Sequence, residues 1–343
     1  QQTSAMESKK RKVGGETSQG EEVVHPKIGV MGAGRIGKIH FDALSKIPGF
    51  TVAALIDPLH TEMELKAGMV KVSTLADALE ATGRLDGLVI ATPTTKHAEN
   101  LLEAIRLKVP VVFVEKPISQ SLDELGPIRA ALEESDHFTE VVMGFNRRHD
   151  GCWRSFRKEL ADEKESHALC AVHIISYDKD PPTKQMAQQC NAKSAFTKEM
   201  GSIFLDFTIH DLDNIRFVAG EDFEVEKVLH KRVPETEEEE AVIILRGQSS
   251  GCRGVIENSR SCGYGHDQRG TAVFASGKAV HTACPEKLHP IWIERYTPSY
   301  KAQMQHFYER VHARVGGQRM QGSDAAAFED GVKALRMALD CER

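Results

Sequence analysis

The sequence predicts an α/β protein in which a doubly wound parallel sheet is followed by an α+β domain with a mostly antiparallel, open sheet. Three observations lead to this fold class. The 343 residues suffice for about two domains. Up to residue 145, short and nearly all-apolar segments alternate with helical patterns, which is typical of a parallel sheet covered on both faces. After residue 145, strand patterns follow one another between turn signals.

Apolar segments and helical spacing predict the elements of a first domain that spans residues 24–145. The predicted strands are residues 27–31, 51–56, 87–91, 111–114 and 141–145. Helices are predicted over residues 36–45, 97–107 and 122–133. In the first of these helices, Ile36, Ile39, Ala43 and Leu44 fall on one side, as expected of a helix that packs on a sheet.

A second domain is predicted over residues 146–343. It begins with a helix at 151–162, a long strand at 168–177 and a helix at 202–219. Strands follow at 224–230, 241–246, 254–258, 271–275 and 278–282, and helices at 300–315 and 325–341. Consecutive strands separated by turns indicate an antiparallel sheet with helices against one face. The acidic segment 235–240 is expected to cap an exposed hairpin.

The composition narrows the classes of partner and compartment. A net charge of −6 provides no general attraction for phosphate backbones, so nucleic acid is not expected as a main partner. The apolar runs are much shorter than the roughly 18 residues that span a bilayer, and no signal peptide precedes them, so we expect neither membrane insertion nor secretion. The seven cysteines lack metal-binding spacing. We therefore expect a cytoplasmic protein without a structural metal.

Residues 1–23 are predicted to form a disordered tail, because they contain almost nothing apolar that could offset the entropy of ordering. Lys9, Lys10, Arg11 and Lys12 form a basic cluster of the kind that nuclear import receptors bind. Two interpretations stay open for this cluster: nuclear import and a plain solvated run of charge.

A glycine motif directly follows the first predicted strand and opens the first helix. Gly32 permits a tight turn, Gly34 lets the backbone approach a pyrophosphate, and Gly37 allows close helix packing. Asp57 follows Gly32 by 25 residues, near the roughly 20-residue spacing of the carboxylate that binds ribose hydroxyls. Because this carboxylate repels a 2′-phosphate, the motif predicts a Rossmann domain that binds NAD rather than NADP. The alternative is a tight turn and a strand-end aspartate without a ligand.

A lysine follows the fourth predicted strand, at the carboxyl edge of the sheet, where ligands of open α/β folds bind. In the sequence Glu115-Lys116-Pro117, the ammonium of Lys116 can donate to a substrate oxygen and stabilise charge as that oxygen loses its proton. The alternative is a surface lysine in a salt bridge.

Three polar residues recur along the predicted helix 202–219. Asp206, His210 and Asp213 stand at positions i, i+4 and i+7 and so share one face. His210 titrates near neutrality and can accept a proton from an alcohol, while Asp206 orients it and holds substrate. The alternative is that this face is the solvated side of the helix.

The glycine motif, the Lys116 segment and the polar helix face occur in this order, and Ala91-Thr92-Pro93-Thr94 and His97 lie between the first two. Together they resemble the glucose–fructose oxidoreductase/inositol dehydrogenase/rhizopine (Gfo/Idh/MocA) family, from about residue 27 to the C-terminus. Three further segments resemble its inositol 2-dehydrogenase branch. They are residues 144–150, 259–269 and 295–300.

The resemblance implies an NAD-dependent dehydrogenase that oxidises a secondary hydroxyl of a cyclic polyol, with myo-inositol as the first guess. Lys116, Asp206 and His210 match the catalytic set of the family. Two rivals stay open: a dehydrogenase of another inositol isomer or an aldose, and a non-catalytic dinucleotide-sensing regulator. The resemblance also implies a homotetramer built through the open sheet face, with a homodimer as the smaller alternative.

The positions of the motifs and the family resemblance together predict further site residues. Those expected at the cofactor are Gly32, Gly34, Arg35, Ile36, Gly37, Asp57, Thr92, Pro93, His97, Glu115, Lys116 and Arg147. Those expected at the substrate are Lys116, Arg147, Asp178, Asp206, His210 and Tyr264. Two of these have structural alternatives, because Arg147 could form an ion pair that links the domains and Tyr264 could be a core or interface tyrosine.

Overall fold

The computed structural model describes residues 25–48, 51–59, 65, 67–178, 202–233, 238–260, 266–289, 292–320 and 324–343. The expectations for the tail 1–23, with Lys9 to Lys12, and for Tyr264 therefore lie outside the described residues. Within the described ranges, no helix combines the length and the apolar character needed to cross a membrane.

The first part of the chain forms a parallel sheet with the strand order β3-β2-β1-β4-β5-β6 among the described residues. Its strands are β1 (Lys27–Met31), β2 (Thr51–Ile56), β3 (Val70–Val72), β4 (Gly87–Ile90), β5 (Val111–Val114) and β6 (Glu140–Met143). Its helices are α1 (Arg35–Leu44), α2 (Leu75–Thr82), α3 (His97–Arg106) and α4 (Leu125–Glu134). The order reverses between β1 and β4, so the ligand crevice lies at the carboxyl ends of these two strands.

The structure confirms the predicted fold class of this part and adds two short elements. The strand β3 has three partly buried residues, too few for a periodic pattern. The helix α2 has eight residues, and the hydroxyl of Thr74 accepts a hydrogen bond from the backbone N–H of Asp77 at its start. Because its signals are a cap and a final Gly83 rather than a long apolar stripe, the sequence pattern did not show it.

The second sheet has the strand order β12-β11-β7-β10-β9-β8 in the described part of the chain. Its strands are β7 (Leu169–Asp178), β8 (Phe223–Val233), β9 (Glu238–Gly247), β10 (Arg253–Arg260), β11 (His266–Phe274) and β12 (Ala279–His289). In the described ranges after β6, the α-helices are α5 (Gly151–Lys164), α6 (Ile209–Ala219), α7 (Trp292–Val315) and α8 (Phe328–Cys341). Of the strand pairs that the structure describes in this sheet, only β7 with β10 is parallel, so the sheet is mostly antiparallel, as predicted.

One face of the second sheet is packed and the other is open, which explains its alternating sequence. Along β7, the buried Val172, Ile174 and Ser176 alternate with partly exposed residues. The acidic segment does fall at a hairpin, since β8 and β9 pair antiparallel from Val233 and Glu238 onward. Its last residues differ from the expectation: residues 238–240 belong to β9, and Glu239 is buried because it pairs with basic side chains.

The helix α7 joins the two parts of the molecule. It begins at Trp292, before the predicted start at residue 300. Its residues Met304, Phe307 and Val311 pack in one apolar cluster with residues of β1 and β5. A helix that the sequence places in the second domain therefore covers one face of the first sheet, and its N-terminal half reaches the crevice.

Candidate active site

The glycine turn leaves space where a dinucleotide pyrophosphate would lie. Gly32 has φ +95°, and a Cβ there would meet the carbonyl oxygen of Ala91 at 2.5 Å. A Cβ on Gly37 would lie 1.9 Å from the carbonyl oxygen of Gly32. A Cβ on Gly34 would meet no protein atom within 4 Å. Gly32 and Gly37 thus close the turn, while Gly34 faces open space at a helix N-terminus that suits an anion.

Asp57 braces this turn from the end of β2. Its carboxylate accepts hydrogen bonds from the backbone N–H groups of Ala33 at 2.7 Å and Leu59 at 2.8 Å. Each oxygen keeps a further lone pair for a ribose hydroxyl. At the start of α1, Arg35 is charged and Ile36 packs on the apolar cluster, and the first turn of this helix carries no acidic residue. The residues present therefore fit NAD.

The loop after β4 is tied to the loop that carries Lys116. Both ring nitrogens of His97 lie within hydrogen-bond distance of backbone oxygens, that of Thr92 at 2.9 Å and that of Pro117 at 2.7 Å. Burial lowers the pKa of His97. The hydroxyl of Thr92 accepts from Asn100, and Pro93 leads into a short helical turn over Thr94–Lys96. The side chain of His97 therefore holds two crevice loops together.

Glu115 faces into the protein and fixes the backbone of Lys116. Its Oε1 accepts from Nε2 of His40 at 2.7 Å, and its Oε2 accepts from the backbone N–H of Lys116 at 3.1 Å. Gly144 makes room for this carboxylate, since a Cβ there would lie 2.8 Å from Oε2. His40, on α1, was not among the predicted site residues. Its only signal in the sequence is a polar residue one turn before the buried Leu44.

Lys116 and Asp206 meet across the boundary between the two sheets. The Lys116 Nζ donates to the Asp206 backbone oxygen at 2.6 Å and to its Oδ1 at 3.1 Å. The second carboxylate oxygen accepts from Arg260 at 2.7 Å. Burial alone would raise the pKa of Asp206, but the charges of Lys116 and Arg260 prevail and lower it. Asp206 is therefore an ionised group beside the lysine.

His210 is a neutral imidazole next to this ion pair. Burial first, and then the charges of Lys116 and Arg147, place the pKa of His210 well below its usual value. Its ring meets the edge of Phe145 with centroids 6.2 Å apart. Among the described residues, its buried Nδ1 has no hydrogen-bond partner. The imidazole is thus able to accept a proton at neutral pH.

The expected contact between Asp206 and His210 is not what the structure contains. Both oxygens of Asp206 bind Lys116 and Arg260 instead. The reason is a π-helical turn over Phe204–Thr208 that precedes α6. Such a turn accommodates an extra residue, so positions i and i+4 do not stack as they do in a regular α-helix.

Asp213 is also not part of this group of residues. It forms a buried bidentate ion pair with Arg148, at 2.6 and 2.8 Å, that links the two parts of the molecule. Asp211, between His210 and Asp213, is likewise fully buried. The alternative of a solvated helix face is therefore wrong.

Arg147 forms the ion pair that the sequence left as an alternative. Its guanidinium, buried at the end of the first sheet, contacts the carboxylate of Asp211 on α6 and lies 3.3 Å from the hydroxyl of Ser176. Burial opposes the charge of Arg147, but Asp211, Tyr296 and Asp178 raise its pKa. Asp178, at the end of β7, is therefore close to this cluster, on the same side of the sheet as His210.

Arg260, Tyr296 and Tyr300 are neighbours of the site to which the sequence assigned no role. The Tyr296 hydroxyl accepts from Gln268 at 2.8 Å, and burial raises the pKa of Tyr296 to about 12. Tyr300 packs against His40 with ring centroids 5.6 Å apart. All three fall in segments that carried the family resemblance, but the partners that give them a role lie far away in the chain.

The fold and the site together define a two-domain, NAD-dependent oxidoreductase. The chain belongs to the Gfo/Idh/MocA family. It matches the description "Oxidoreductase family, NAD-binding Rossmann fold" over residues 26–143 and "GFO/IDH/MocA C-terminal domain" over residues 158–280. The family resemblance that the motifs indicated is confirmed.

The following proteins, to which the chain is similar, carry the names of inositol dehydrogenases. The chain is 30% identical to an inositol 2-dehydrogenase of Rhizobium meliloti, over 91% of this chain and 94% of that protein. It is 30% identical to a myo-inositol 2-dehydrogenase of Thermotoga maritima, over 90% and 93%. The crystal structure of a myo-inositol dehydrogenase from Corynebacterium glutamicum superposes with a TM-score of 0.71 and 28% identity, over 93% and 96%.

Proposed function

We propose that this protein oxidises a secondary ring hydroxyl of a cyclic polyol to a ketone with NAD, and that its substrate is myo-inositol. The observation that carries the proposal is the contact of Lys116 with Asp206, which brings an ammonium from the first domain beside the neutral imidazole of the second. The names of the relatives support a cyclic polyol as substrate.

The chain supplies a proton acceptor, a fixed cation and an ionised carboxylate. His210 is uncharged at neutral pH and so takes the proton of the substrate hydroxyl. The ammonium of Lys116 donates a hydrogen bond to the same oxygen and stabilises the negative charge that develops there. NAD, when bound, supplies the nicotinamide ring that accepts the hydride. Asp206 holds Lys116 and has lone pairs left for a neighbouring hydroxyl of the ring.

The remaining residues position these three. The glycine turn and Asp57 fit the pyrophosphate and the ribose. Glu115 and His40 fix the peptide that carries Lys116. Held in this way, the lysine and the histidine do not have to be ordered again for each substrate molecule, which lowers the entropic part of the barrier.

Turnover of a polyol panel tests the proposal. Formation of reduced nicotinamide is followed by absorbance with NAD and myo-inositol, scyllo-inositol or glucose. Lys116→Ala and His210→Ala are each expected to lower kcat by roughly 10²-fold or more, the usual contribution of general acid–base groups. Lys96→Ala is the matched control, because Lys96 is exposed and pairs with Glu99, three residues further along the chain. Turnover is expected to be fastest with myo-inositol.

Two other outcomes would contradict the proposal. Faster turnover of glucose than of either inositol would make the chain an aldose dehydrogenase. Tight NAD binding without turnover of any polyol would favour the dinucleotide-sensing regulator.

We also propose that the open face of the second sheet is the surface through which copies of the chain assemble into a homotetramer. On this face, Ile175 and Val255 are partly exposed, and Val273 is 38% exposed. Apolar side chains left on a sheet face are typical of an interface between subunits. Light scattering on the purified protein is expected to give four times the chain mass, whereas a monomer at micromolar concentration would contradict the assignment.

A further inference from the structure

Arg260 connects the ion pair at the centre of the site to the far edge of the second sheet. It is the last residue of β10, and its side chain is 6% exposed. Its Nη2 donates to Asp206 Oδ2 at 2.7 Å, and its Nη1 lies 3.4 Å from Glu239 Oε2. The other oxygen of Glu239 lies 2.8 Å from Nε2 of His230 on β8. The guanidinium is thus bound on two sides.

We propose that Arg260 is a positioning residue that holds the carboxylate of Asp206 beside Lys116, and that Glu239 in turn holds Arg260. The proposal rests on the proposed function, because it assigns Asp206 to the site where the substrate is oxidised.

The geometry supports a role in orientation. Each carboxylate oxygen of Asp206 has its own cation, Oδ1 that of Lys116 and Oδ2 that of Arg260. With one cation alone, the carboxylate could rotate about its last torsion, whereas two opposed contacts fix its plane. Arginine suits this position because its rigid, planar fork can bind two carboxylates at once. A lysine has a single charged atom and cannot bridge them in the same way.

The charges around Asp206 indicate that its contact with Arg260 also lowers the pKa of this carboxyl. The groups that face it from the surrounding elements are Lys116 after β5, Arg35 on α1, Arg260 on β10 and Tyr300 on α7. Three of these are cations, while the tyrosine is neutral. Burial raises the pKa of Asp206, and the cations in contact with it outweigh burial. Removing Arg260 takes away one of these cations, so we expect the pKa of Asp206 to rise.

The test compares Arg260→Gln and Arg260→Lys in the full chain. Two readouts are taken: kcat/KM against pH with NAD and myo-inositol, and the pH titration of the Asp206 carboxyl carbon by ¹³C NMR, assigned through Asp206→Asn. In Arg260→Gln we expect the carboxyl titration of Asp206 to move up by one pH unit or more, since an opposite charge in contact lowers a carboxyl pKa by about 1–3 units. We also expect kcat to fall about tenfold, with the Kd for NAD unchanged within about twofold.

Arg260→Lys separates charge from orientation. In this variant the Asp206 carboxyl is expected to titrate within about half a pH unit of the wild type, because the positive charge is retained. The value of kcat is expected to stay several-fold lower, because a lysine does not bridge Glu239 and Asp206. Arg260→Lys also serves as the test if Arg260→Gln does not fold. Arg246→Gln is the matched control. Arg246 pairs with Glu226 on the neighbouring strand of the same sheet, is 53% exposed, and its replacement should move neither readout.

An unchanged carboxyl titration in Arg260→Gln, or a wild-type kcat in Arg260→Lys, would overturn the assignment. If the wild type turns over no polyol, the proposed function fails. The NMR titration still decides whether Arg260 controls the charge of Asp206, because it needs no substrate.

Discussion

Replacing Arg147 tests whether this buried arginine at the crevice stabilises the fold or binds the cofactor. Its guanidinium pairs with Asp211, whose side chain is 0% exposed and has Ser176 and Asn258 as its other partners, at 2.9 and 2.8 Å. Arg147→Met keeps an unbranched apolar stem in place of the arginine methylenes and removes the guanidinium with its charge. Asp211 is then left buried with two neutral partners.

The expected loss of unfolding free energy is large, because Arg147→Met leaves Asp211 buried without the opposite charge of its partner. Removing one member of such a pair costs about 3–5 kcal/mol of unfolding free energy. Burial already raises the pKa of Asp211, and Arg147 opposes that rise. Without Arg147 the folded-state pKa lies still further above the unfolded value. The variant is therefore least destabilised at acid pH, where Asp211 is protonated, and loses stability as the pH rises through the folded-state pKa.

Urea unfolding followed by circular dichroism measures the effect in a cycle of Arg147→Met, Asp211→Asn and the double variant. The double variant is expected to be more stable than Arg147→Met alone, since no buried charge is left unpaired. Arg154→Met is the control, because Arg154 is half exposed and pairs with Asp324, a surface contact worth about 1 kcal/mol or less. Unchanged unfolding together with a tenfold weaker affinity for NAD would refute the reasoning and make Arg147 a cofactor ligand.

Three further predictions concern the glycine turn and two histidines. Gly37→Ala is expected to lower the unfolding free energy by about 1–3 kcal/mol and to weaken NAD binding, because its Cβ would meet the Gly32 carbonyl oxygen at 1.9 Å. Gly34→Ala should weaken NAD binding alone, as judged by fluorescence titration and thermal unfolding; equal losses of stability would contradict this. Burial and neighbouring charges lower the pKa of His149 to about 3, so its contribution to stability is complete above pH 6.5 and lost as the pH falls toward 3. His149→Phe should remove about 2 kcal/mol of the difference in unfolding free energy between pH 7 and pH 5, and an unaltered pH dependence would exclude it as the source. For His210, the lowered pKa places the acid limb of kcat/KM below pH 6.5, and a limb above that value would argue against this base.

The first sheet was predictable because its chemistry is local. Strands covered on both faces must be apolar throughout, and a turn that brings a helix against a phosphate needs glycine at fixed spacing. The predicted strand at 111–114 has the bounds of β5, and Lys116 lies at its carboxyl end as expected. The short elements β3 and α2 were missed because three or eight residues do not show a period.

The details of the site were less predictable, because they depend on contacts between distant residues. Arg260 meets Asp206 from 54 residues away, and His40 meets Glu115 from 75. Nothing near either residue in the chain identifies its partner. The spacing of Asp206 and His210 is a local feature, but it predicted the wrong contact because a π-helical turn replaces the regular helix.

The sequence by itself determined which chemical groups this protein carries and the order of its elements: a glycine turn, a lysine at a strand end, and an aspartate and a histidine one turn apart. Only the tertiary structure decided how those groups are paired. It turned Asp206 toward Lys116 and Arg260, buried Arg147 against Asp211, and covered the first sheet with a helix from the other end of the chain. The reason is physical: periodicity and turn chemistry act over a few residues, whereas a buried charge takes whichever opposite charge the packing of two domains brings to it.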